Sequence, residues 1–373
     1  MEEALAMQNE IIKEAIAHFQ LPKTEPKECI VFGSGHINDT YRLTYETEEG
    51  VKRFILQKMN KDIFKNPVEL MENVRGVTSW LRKKIEEVGG DPERETLNLV
   101  PAADGKTYYI DSTGDYWRVY YFIEGAVTYD QVEREEDFYQ SAVAFGHFQR
   151  MLADYPADTL HETIPDFHNT VDRFAKFKAA LEADVCGRAA GVADEIQFVL
   201  DRESLAHKLC DMQANGELPL RVTHNDTKLN NIMIDEETRK AICVIDLDTV
   251  MPGLAVNDFG DSIRFGASTG AEDEQDLSKI WCDLHLYELY AKGFIEGCAG
   301  ALTDAEIEAL PYGAILMTFE CGMRFLTDYL DGDHYFKIHR EGHNLDRTRT
   351  QFKLVKDMED KLEQMQQIVK KYK

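Results

Sequence analysis

The segment from His224 to Asp235 constrains this chain more than any other, because it fixes the spacing of several polar side chains. Asp226 lies two residues after His224, and Asn231 lies five residues after Asp226. The apolar residues that follow predict a short strand. We therefore expect a loop that presents one carboxylate and one carboxamide at the start of a strand. A carboxylate can orient a hydroxyl group and accept its proton, and a carboxamide oxygen can bind Mg²⁺.

A second apolar run follows this loop and ends in another carboxylate. Residues 241–245 are largely β-branched or apolar, which predicts a strand, and Asp246 comes directly after them. In enzymes that transfer phosphoryl groups, such a carboxylate and the Asn of the loop hold Mg²⁺, because the ion bridges phosphate oxygens. We therefore predict that Asp226 is catalytic and that Asn231 and Asp246 bind the metal. The role of Asp248 is open between a metal ligand and a cap of the next turn, and the alternative for the whole segment is a water-facing β-hairpin.

A glycine-containing segment far upstream is the third feature. Gly33, Ser34 and Gly35 stand between two runs with strand character. Glycine lets backbone N–H groups approach phosphate oxygens closely, since no Cβ atom intervenes. A dinucleotide-binding fingerprint does not fit, because it requires a following helix and a third glycine where this chain has Asn38. The segment is predicted to bind nucleotide phosphates, and the alternative is an ordinary hairpin turn.

A lysine and a glutamate are expected to complete the phosphate site. Lys58 lies on the next predicted strand, and the helix predicted to start at Pro67 carries Glu72. In kinases, a strand Lys paired with a helix Glu positions the α- and β-phosphates. The register of the strand leaves an alternative, in which Gln57 faces the nucleotide and Lys58 faces solvent. Glu69 is the alternative to Glu72 on the same helix.

With these elements in this order, the chain resembles kinases of the aminoglycoside-phosphotransferase-like superfamily and, within it, the N-acetylhexosamine 1-kinases. The resemblance spans nearly the whole chain and is carried by residues 33–38, 56–60, 66–73, 224–231 and 246–253. It implies an α+β protein with a two-lobed, protein-kinase-like fold. The N-terminal lobe, residues 1–123, would hold an antiparallel sheet with helices, and the C-terminal lobe, residues 124–373, would be mostly helical. The residue pattern predicts helices over residues 67–88, 138–152, 196–212, 277–294 and 352–373.

The resemblance also implies an activity. Kinases of this kind use ATP and Mg²⁺ to phosphorylate the anomeric hydroxyl of GlcNAc or GalNAc. The acetamido-sugar would contact the catalytic Asp226 and four further side chains, which are His36, Phe265, Arg324 and Tyr335. These four are assigned by their match to the family alone, since their spacing carries no chemistry by itself.

Four more positions take roles from the similarity to kinases. Lys228 matches a Lys that reaches the γ-phosphate in protein kinases, and the alternative is a solvated loop lysine. Tyr121 and Ile123 lie in the segment expected to bind adenine through its backbone, and the alternative is an edge strand. Asp258 matches a position that braces the catalytic loop and would also cap a helix.

Charge narrows the set of partners. The 373-residue chain has a net charge of −26, from 68 acidic and 42 basic residues. This charge opposes binding to nucleic acid or to an anionic membrane. The resemblance implies a small-molecule sugar and ATP as partners, and we expect a monomer. The same charge suits a cationic acceptor, which keeps choline, homoserine and aminoglycoside kinases as alternatives. A catalytically silent nucleotide-binding module is a third and less favoured class.

Cysteine usage and hydropathy give the expected compartment. The 7 cysteines form no Cys-x-x-Cys pair, which indicates neither a zinc site nor a disulfide framework and predicts the reducing cytoplasm. Residues 1–20 predict an amphipathic helix whose early acidic residues do not suit a signal peptide. No apolar run reaches the length of a membrane span, and 43% hydrophobic content supports separate cores for two lobes.

Overall fold

A computed structural model describes residues 2–33 and 37–373 of the chain. The contacts predicted for Ser34, Gly35 and His36 lie outside the described residues. The chain divides into two compact units. The first comprises Met1–Ala126, Leu160–Ile164 and Ile242–Asp248, and the second comprises Val127–Thr159, Pro165–Ala241 and Thr249–Lys373.

The first unit is built on an antiparallel sheet. Its strands are β1 Glu28–Val31, β2 Asp39–Thr47, β3 Gly50–Lys58, β4 Leu99–Val100, β5 Tyr109–Ile110 and β6 Tyr116–Tyr121. They are ordered β1-β2-β3-β6-β4, and β5 pairs with β6. The helices of this unit are α1 Glu2–Ala17, α2 Pro67–Glu87 and α3 Pro92–Glu95.

The two faces of this sheet differ in character. Successive side chains of a strand point to opposite faces. One face is apolar, and its Leu56 and Val119 pack in a buried core that includes Ile12 of α1. On the other face, Gln57 of β3 stands opposite Arg118 of β6. The sheet therefore carries a polar centre on the face turned away from α1.

Helix α2 begins where the sequence places its cap. The Asn66 side chain accepts a hydrogen bond from the Glu69 backbone N–H at 3.2 Å, and Pro67 lies in the first turn. The cap satisfies a donor that a helix start leaves unpaired, and Pro has no N–H to satisfy there. The helix ends at Glu87, within one residue of the predicted end at Val88.

The second unit is mostly helical. Its helices are α4 Glu135–Met151, α5 Thr170–Ala183, α6 Ala193–Leu200, α7 Glu203–Ala214, α8 Ala255–Gly266, α9 Leu284–Cys298, α10 Asp304–Asp331, α11 His343–Asp360 and α12 Leu362–Lys371. Short strands interrupt them, namely β8 Arg221–Thr223, β9 Ile232–Asp235 and β11 Met251–Gly253. Two further strands, β7 Ala126–Val127 and β10 Ala241–Val244, each contain residues assigned to both units. The expected α+β fold, with an antiparallel N-terminal sheet and a helical C-terminal lobe, is confirmed.

Two glycines bring α8 and α10 into close contact. A Cβ atom on Gly260 would lie 2.1 Å from the backbone oxygen of Gly313. A Cβ atom on Gly313 would lie 2.1 Å from the backbone oxygen of Val256. Only glycine fits at this crossing, since neither backbone can move aside cheaply. The crossing fixes α8, which carries Asp258 and Asp261 of the site described below.

One predicted helix is observed as two helices, with a tertiary contact at the boundary between them. The helix expected over residues 196–212 is observed as α6 and α7, with the break near Arg202. The Arg202 guanidinium binds both carboxylate oxygens of Glu359 on α11, at 2.8 and 2.9 Å. This long-range ion pair lies at the boundary between the two helices.

Two other predicted helices are shorter than expected. The helix expected from Leu277 begins at Leu284, because Asp283 caps it by accepting the backbone N–H groups of His285 and Leu286. The helix expected over residues 352–373 is divided between the end of α11 and α12. Among the described residues, no helix is both long and apolar enough to cross a membrane.

Candidate active site

One buried carboxylate holds the backbone of the predicted catalytic loop. Strand β8 leads into the loop, and Asp258 in the first turn of α8 accepts the backbone N–H groups of His224 and Asn225, both at 2.8 Å. Asn225 has a left-handed φ of 66°, which Asn adopts more readily than most residues. Asp258 therefore fixes the turn that leads directly into Asp226.

A second carboxylate on α8 extends this support. Asp261 accepts the backbone N–H of Thr227 at 3.2 Å, and the Thr227 hydroxyl donates to the backbone oxygen of Asp258 at 2.7 Å. Burial raises the pKa of Asp258 above its usual range. Burial also opposes ionisation of Asp261, but the nearby charges, with Arg264 the strongest, outweigh it and lower the pKa of that carboxyl. The pKa values of the two carboxyl groups are therefore shifted in opposite directions.

His224 has a structural role in the loop. Its side chain is fully buried, and its ring meets the rings of Phe145 and Phe148 of α4 edge to face. Its backbone oxygen accepts the Thr249 hydroxyl at 2.6 Å. A side chain enclosed in this way anchors the start of the loop to α4 rather than contacting a substrate.

The structure brings Asp226 and Asn231 together. The Asn231 amide nitrogen donates to the backbone oxygen of Asp226 at 2.7 Å and to its Oδ2 at 3.2 Å. Within the described part of the chain, both hydrogen bonds of the Asn231 side chain leave from its nitrogen. An amide oxygen beside a carboxylate is a donor set that suits Mg²⁺, and the role of Asn231 in metal binding stays a prediction.

Lys228 lies against the predicted catalytic carboxylate. Its Nζ is 2.9 Å from Oδ1 of Asp226. Burial disfavours its charge, but the negative charges of Asp226 and Asp261 outweigh burial and raise the pKa of Lys228. The ammonium group therefore stays charged at neutral pH, as the predicted charge-stabilising role requires.

Asp246, the other predicted metal ligand, belongs to the first unit. It follows β10 and has a left-handed φ of 57°. Left-handed backbone at a residue other than glycine is uncommon and marks a turn that sets the direction of the side chain. Its role in metal binding stays a prediction.

A buried ion pair on the polar face of the first sheet was not predicted from the sequence. Arg118 Nη1 and Nη2 donate to Oδ1 and Oδ2 of Asp248 at 2.5 and 2.9 Å, and both residues are almost fully buried. Arg118 Nε donates to Gln57 at 2.9 Å, and Asn38 donates to Asp248 at 2.7 Å. The sequence left two roles open for Asp248, a metal ligand or a cap of the next turn. In the structure, its carboxylate binds Arg118 instead.

We expect Arg118→Met to lower the free energy of unfolding by about 3–5 kcal/mol, because it leaves the Asp248 carboxylate buried without its cation. Urea unfolding measures this, with Arg75→Met at an exposed position of α2 as the control. Adding Asp248→Asn to Arg118→Met should recover part of the loss, since no unpaired charge is then buried. A loss equal to that of the Arg75 control would contradict the account.

The structure does not bring Lys58 and Glu72 together. Lys58 lies on the α1 side of the sheet, and its Nζ is 2.9 Å from Oδ2 of Asp115, whose hydrogen bond raises the pKa of Lys58. Glu72 instead contacts His161 at 2.6 Å. Of the two registers left open for β3, the observed one points Gln57 to the polar face with Arg118.

The predicted adenine segment lies at the end of β6. The backbone N–H of Tyr121 donates to the oxygen of Asn98 at 3.0 Å, and its side chain is 45% exposed. Ile123 is buried. Gly33, at the far side of the same sheet after β1, has a φ of 86° that favours glycine. Nucleotide binding by Tyr121, Ile123 and Gly33 stays a prediction.

Arg324 and Tyr335 share a cavity in the second unit. Arg324 Nη2 lies 3.3 Å from the Tyr335 hydroxyl, and both side chains line a cavity of about 150 Å³ between α5 and the end of α10. Tyr335 is 70% exposed, so its ring is available to a ligand. Phe265, near the end of α8, is 46% exposed. The structure thus unites two predicted sugar contacts, although they lie eleven residues apart.

Comparison with known proteins identifies relatives of the whole fold. A model of the phosphotransferase enzyme family matches residues 28–291. An aminoglycoside phosphotransferase from Alicyclobacillus acidocaldarius is 12% identical, with a TM-score of 0.62, and the match covers 96% of each chain. A choline kinase from Cryptosporidium parvum is 14% identical, with a TM-score of 0.56, and the match covers 95% of this chain and 94% of that one.

A third solved structure is a spectinomycin phosphotransferase in complex with ADP and spectinomycin. It is 14% identical to this chain, with a TM-score of 0.52, and the match covers 94% of this chain and 98% of that one. At such low identities these likenesses establish the fold. The kinase-like architecture expected from the sequence is therefore confirmed.

Proposed function

This chain belongs to the phosphotransferase enzyme family, and we propose that it transfers the γ-phosphoryl group of ATP to the anomeric hydroxyl of GlcNAc or GalNAc. Family membership supports phosphoryl transfer, and the ADP complex of a phosphotransferase with this fold supports an adenine nucleotide. The acceptor is proposed from the sequence resemblance to N-acetylhexosamine 1-kinases. The observation that carries it is the cavity shared by Arg324 and Tyr335.

In this proposal, Asp226 orients the anomeric hydroxyl and accepts its proton. Phosphoryl transfer is largely a matter of positioning and charge neutralisation. Positioning is supported by the loop contacts, since Asp258 and Asp261 hold the backbone on either side of Asp226. Charge neutralisation is supported by Lys228, which stays protonated beside the carboxylate.

The nucleotide and metal contacts are proposed from both units. Asn231 and Asp246 are the residues that would hold Mg²⁺. When bound, the ion neutralises charge on the β- and γ-phosphate oxygens. The backbone of residues 33–35, with Ser34 and Gly35, is proposed to contact the phosphates, and the His36 that follows is proposed to contact the sugar. Lys58 keeps its proposed phosphate role by resemblance alone. Gln57, the alternative, lies on the polar face of the sheet beside Arg118.

A kinase of a cationic alcohol, such as choline or an aminoglycoside, is the rival function. The fold is shared with such enzymes, and the net charge of −26 suits a cationic acceptor. The side chains around Arg324, however, do not suit a cationic acceptor. Asp328, which lines the cavity, already accepts four hydrogen bonds, from the backbone of residues 334–336 and from Asn344. It has little capacity left to bind an ammonium group.

We expect Arg324→Ala to raise the sugar KM by about 10- to 100-fold, because a hydrogen bond to a charged group contributes roughly 1.5–3 kcal/mol. The ATP KM should change little. Steady-state kinetics with each substrate varied in turn measures both constants. Arg150→Ala, at an exposed position of α4, is the control and should leave both unchanged. Equal effects on the two KM values would contradict a sugar contact.

An acceptor screen tests the proposed function directly. Purified protein with ATP and Mg²⁺ is offered GlcNAc, GalNAc, glucose, choline, homoserine and an aminoglycoside, and ATP consumption is recorded. We expect turnover with the two acetamido-sugars and little with the others. Brisk turnover of choline or the aminoglycoside without that of the acetamido-sugars would replace the proposed acceptor and keep the family assignment.

A further inference from the structure

Two arginine side chains line the cavity at the end of α10. Arg173 of α5 lines the same cavity as Arg324 and Tyr335. The guanidinium of Arg173 donates through Nη2 to the backbone oxygen of Phe167 at 3.1 Å. Its Nε is buried and has no hydrogen-bond partner among the described residues. A buried donor without a partner is rare in folded proteins, so this atom is a candidate for a ligand contact or for the support of one.

Neither arginine is neutralised by a carboxylate in hydrogen-bond contact within the described part of the chain. Arg324 donates to the Tyr335 hydroxyl, and Arg173 donates to a backbone oxygen. Burial lowers the pKa of Arg173, and the charge of Arg324 lowers it further, with Glu320 acting in the opposite direction. Like charges at close range cost stability unless a ligand offsets them, which is typical of a functional site.

The other charged residues that line the cavity are Lys176, Asp328 and Asp331. Lys176 pairs with Asp172 at 2.7 Å. The carboxylate of Asp328 is occupied by the backbone hydrogen bonds described above, and Asp331 is exposed at the end of α10. The cavity therefore presents guanidinium donors to its contents.

Charged groups connect this cavity with the catalytic loop. Glu320 lies one turn before Arg324 on α10 and contacts His168 at 3.0 Å. His168 in turn interacts electrostatically with Asp261, which binds the backbone of the loop at Thr227. Arg173 is therefore linked to the catalytic loop through the charges of Glu320, His168 and Asp261.

We propose that Arg173 is a specificity-determining residue that, together with Arg324, binds oxygen atoms of an uncharged acceptor and excludes acceptors with an ammonium group. This proposal rests on the proposed function and identifies the class of substrate: a neutral, acetylated amino sugar rather than the free amine. Guanidinium groups donate to hydroxyl and carbonyl oxygens and repel a cation. An acetamide satisfies such donors through its oxygen, whereas the amine of the same sugar is protonated and has no lone pair to accept a hydrogen bond.

The test compares GlcNAc with glucosamine, which carries an ammonium group in place of the acetamide. We expect the wild type to favour GlcNAc in kcat/KM. Arg173→Gln should raise the GlcNAc KM by about tenfold or more, since a charge-assisted hydrogen bond is lost. The same variant should narrow the preference over glucosamine, and Arg173→Lys should restore part of it because the charge returns. Lys178→Gln, at an exposed position of the same helix, is the control and should change nothing.

The outcomes separate the two proposals. If the wild type turns over neither acetamido-sugar, the proposed function fails and this inference fails with it. If the wild type prefers GlcNAc but Arg173→Gln keeps both the KM and the preference, with an unchanged melting temperature, only the role of Arg173 is refuted. Equal use of glucosamine and GlcNAc by the wild type would also refute it.

Discussion

Asp226→Asn is expected to reduce kcat by about 100- to 10,000-fold, the usual contribution of a positioned acid or base. The carboxamide keeps the shape of the side chain but cannot accept the proton of the acceptor hydroxyl. It also removes the negative partner of Lys228, which lies 2.9 Å from the Asp226 carboxylate. Nucleotide affinity should be nearly unchanged, because the adenine and phosphate contacts are proposed at other residues. Turnover is measured by ATP consumption and affinity by calorimetry.

The matched control for this variant is Asp158→Asn, at an exposed position of the same unit. It makes the same chemical change on the surface and should leave kcat at the wild-type value. If Asp226→Asn turns over at a rate close to that of the control, Asp226 is not the catalytic residue. A loss of nucleotide affinity equal to the loss in kcat would point instead to a collapsed site.

Asp258→Ala is expected to cost about 2–6 kcal/mol of unfolding free energy, because it leaves two buried backbone N–H groups unsatisfied at roughly 1–3 kcal/mol each. These are the N–H groups of His224 and Asn225, both 2.8 Å from the Asp258 carboxylate. Urea unfolding measures the loss. Since the turn at Asn225 aims Asp226, kcat should fall as well, even at a temperature where the variant is fully folded.

A milder substitution separates the two effects of Asp258. Asp258→Asn keeps one acceptor oxygen and should lose less stability than Asp258→Ala, while the misaimed loop still lowers kcat. Asp158→Ala is the surface control for the alanine variant. Wild-type stability in Asp258→Ala would show that water or a neighbouring group satisfies the two N–H donors, and the bracing role would then be wrong.

The predicted catalytic loop could be recognised from the local spacing of residues in the sequence. Asp226 and Asn231 lie five positions apart within one loop, so their spacing already implies that they meet, and the structure places them in hydrogen-bond contact. The bracing position of Asp258 was anticipated from its match to kinases. The predicted helix cap at Asp258 was wrong, because α8 begins at Ala255 and Leu254 is at its N-cap. The catalytic and metal-binding roles of Asp226 and Asn231 remain predictions.

Contacts between distant segments could not be predicted from the sequence. Arg118 binds Asp248 across 130 residues, and a lone arginine within an apolar strand gave no sign of its partner. Arg173 was missed for the same reason, since it meets Arg324 only through the packing of α5 beside α10. A side chain without a local motif gains its meaning from tertiary structure alone.

Strand register was the other weak point. β3 carries Phe54 and Leu56 on one face and Ile55 on the other, so hydrophobic alternation does not decide which face points inward. The open choice between Gln57 and Lys58 follows directly from this ambiguity. The cross-strand pairing with β6 resolves it, because Gln57 stands beside Arg118. Predicted helix boundaries were also wrong near Arg202, where the chain forms two helices and an ion pair with Glu359.

Phosphorus NMR of the product tests the central claim most directly, because it identifies the hydroxyl that receives the phosphoryl group. The protein is incubated with GlcNAc or GalNAc, ATP and Mg²⁺, and the sugar phosphate is examined for coupling between phosphorus and protons. We expect a signal coupled to the anomeric proton, as transfer to the anomeric hydroxyl near Asp226 requires. Coupling to the C6 protons, or no sugar phosphate beside phosphorylated choline or aminoglycoside, would contradict the account.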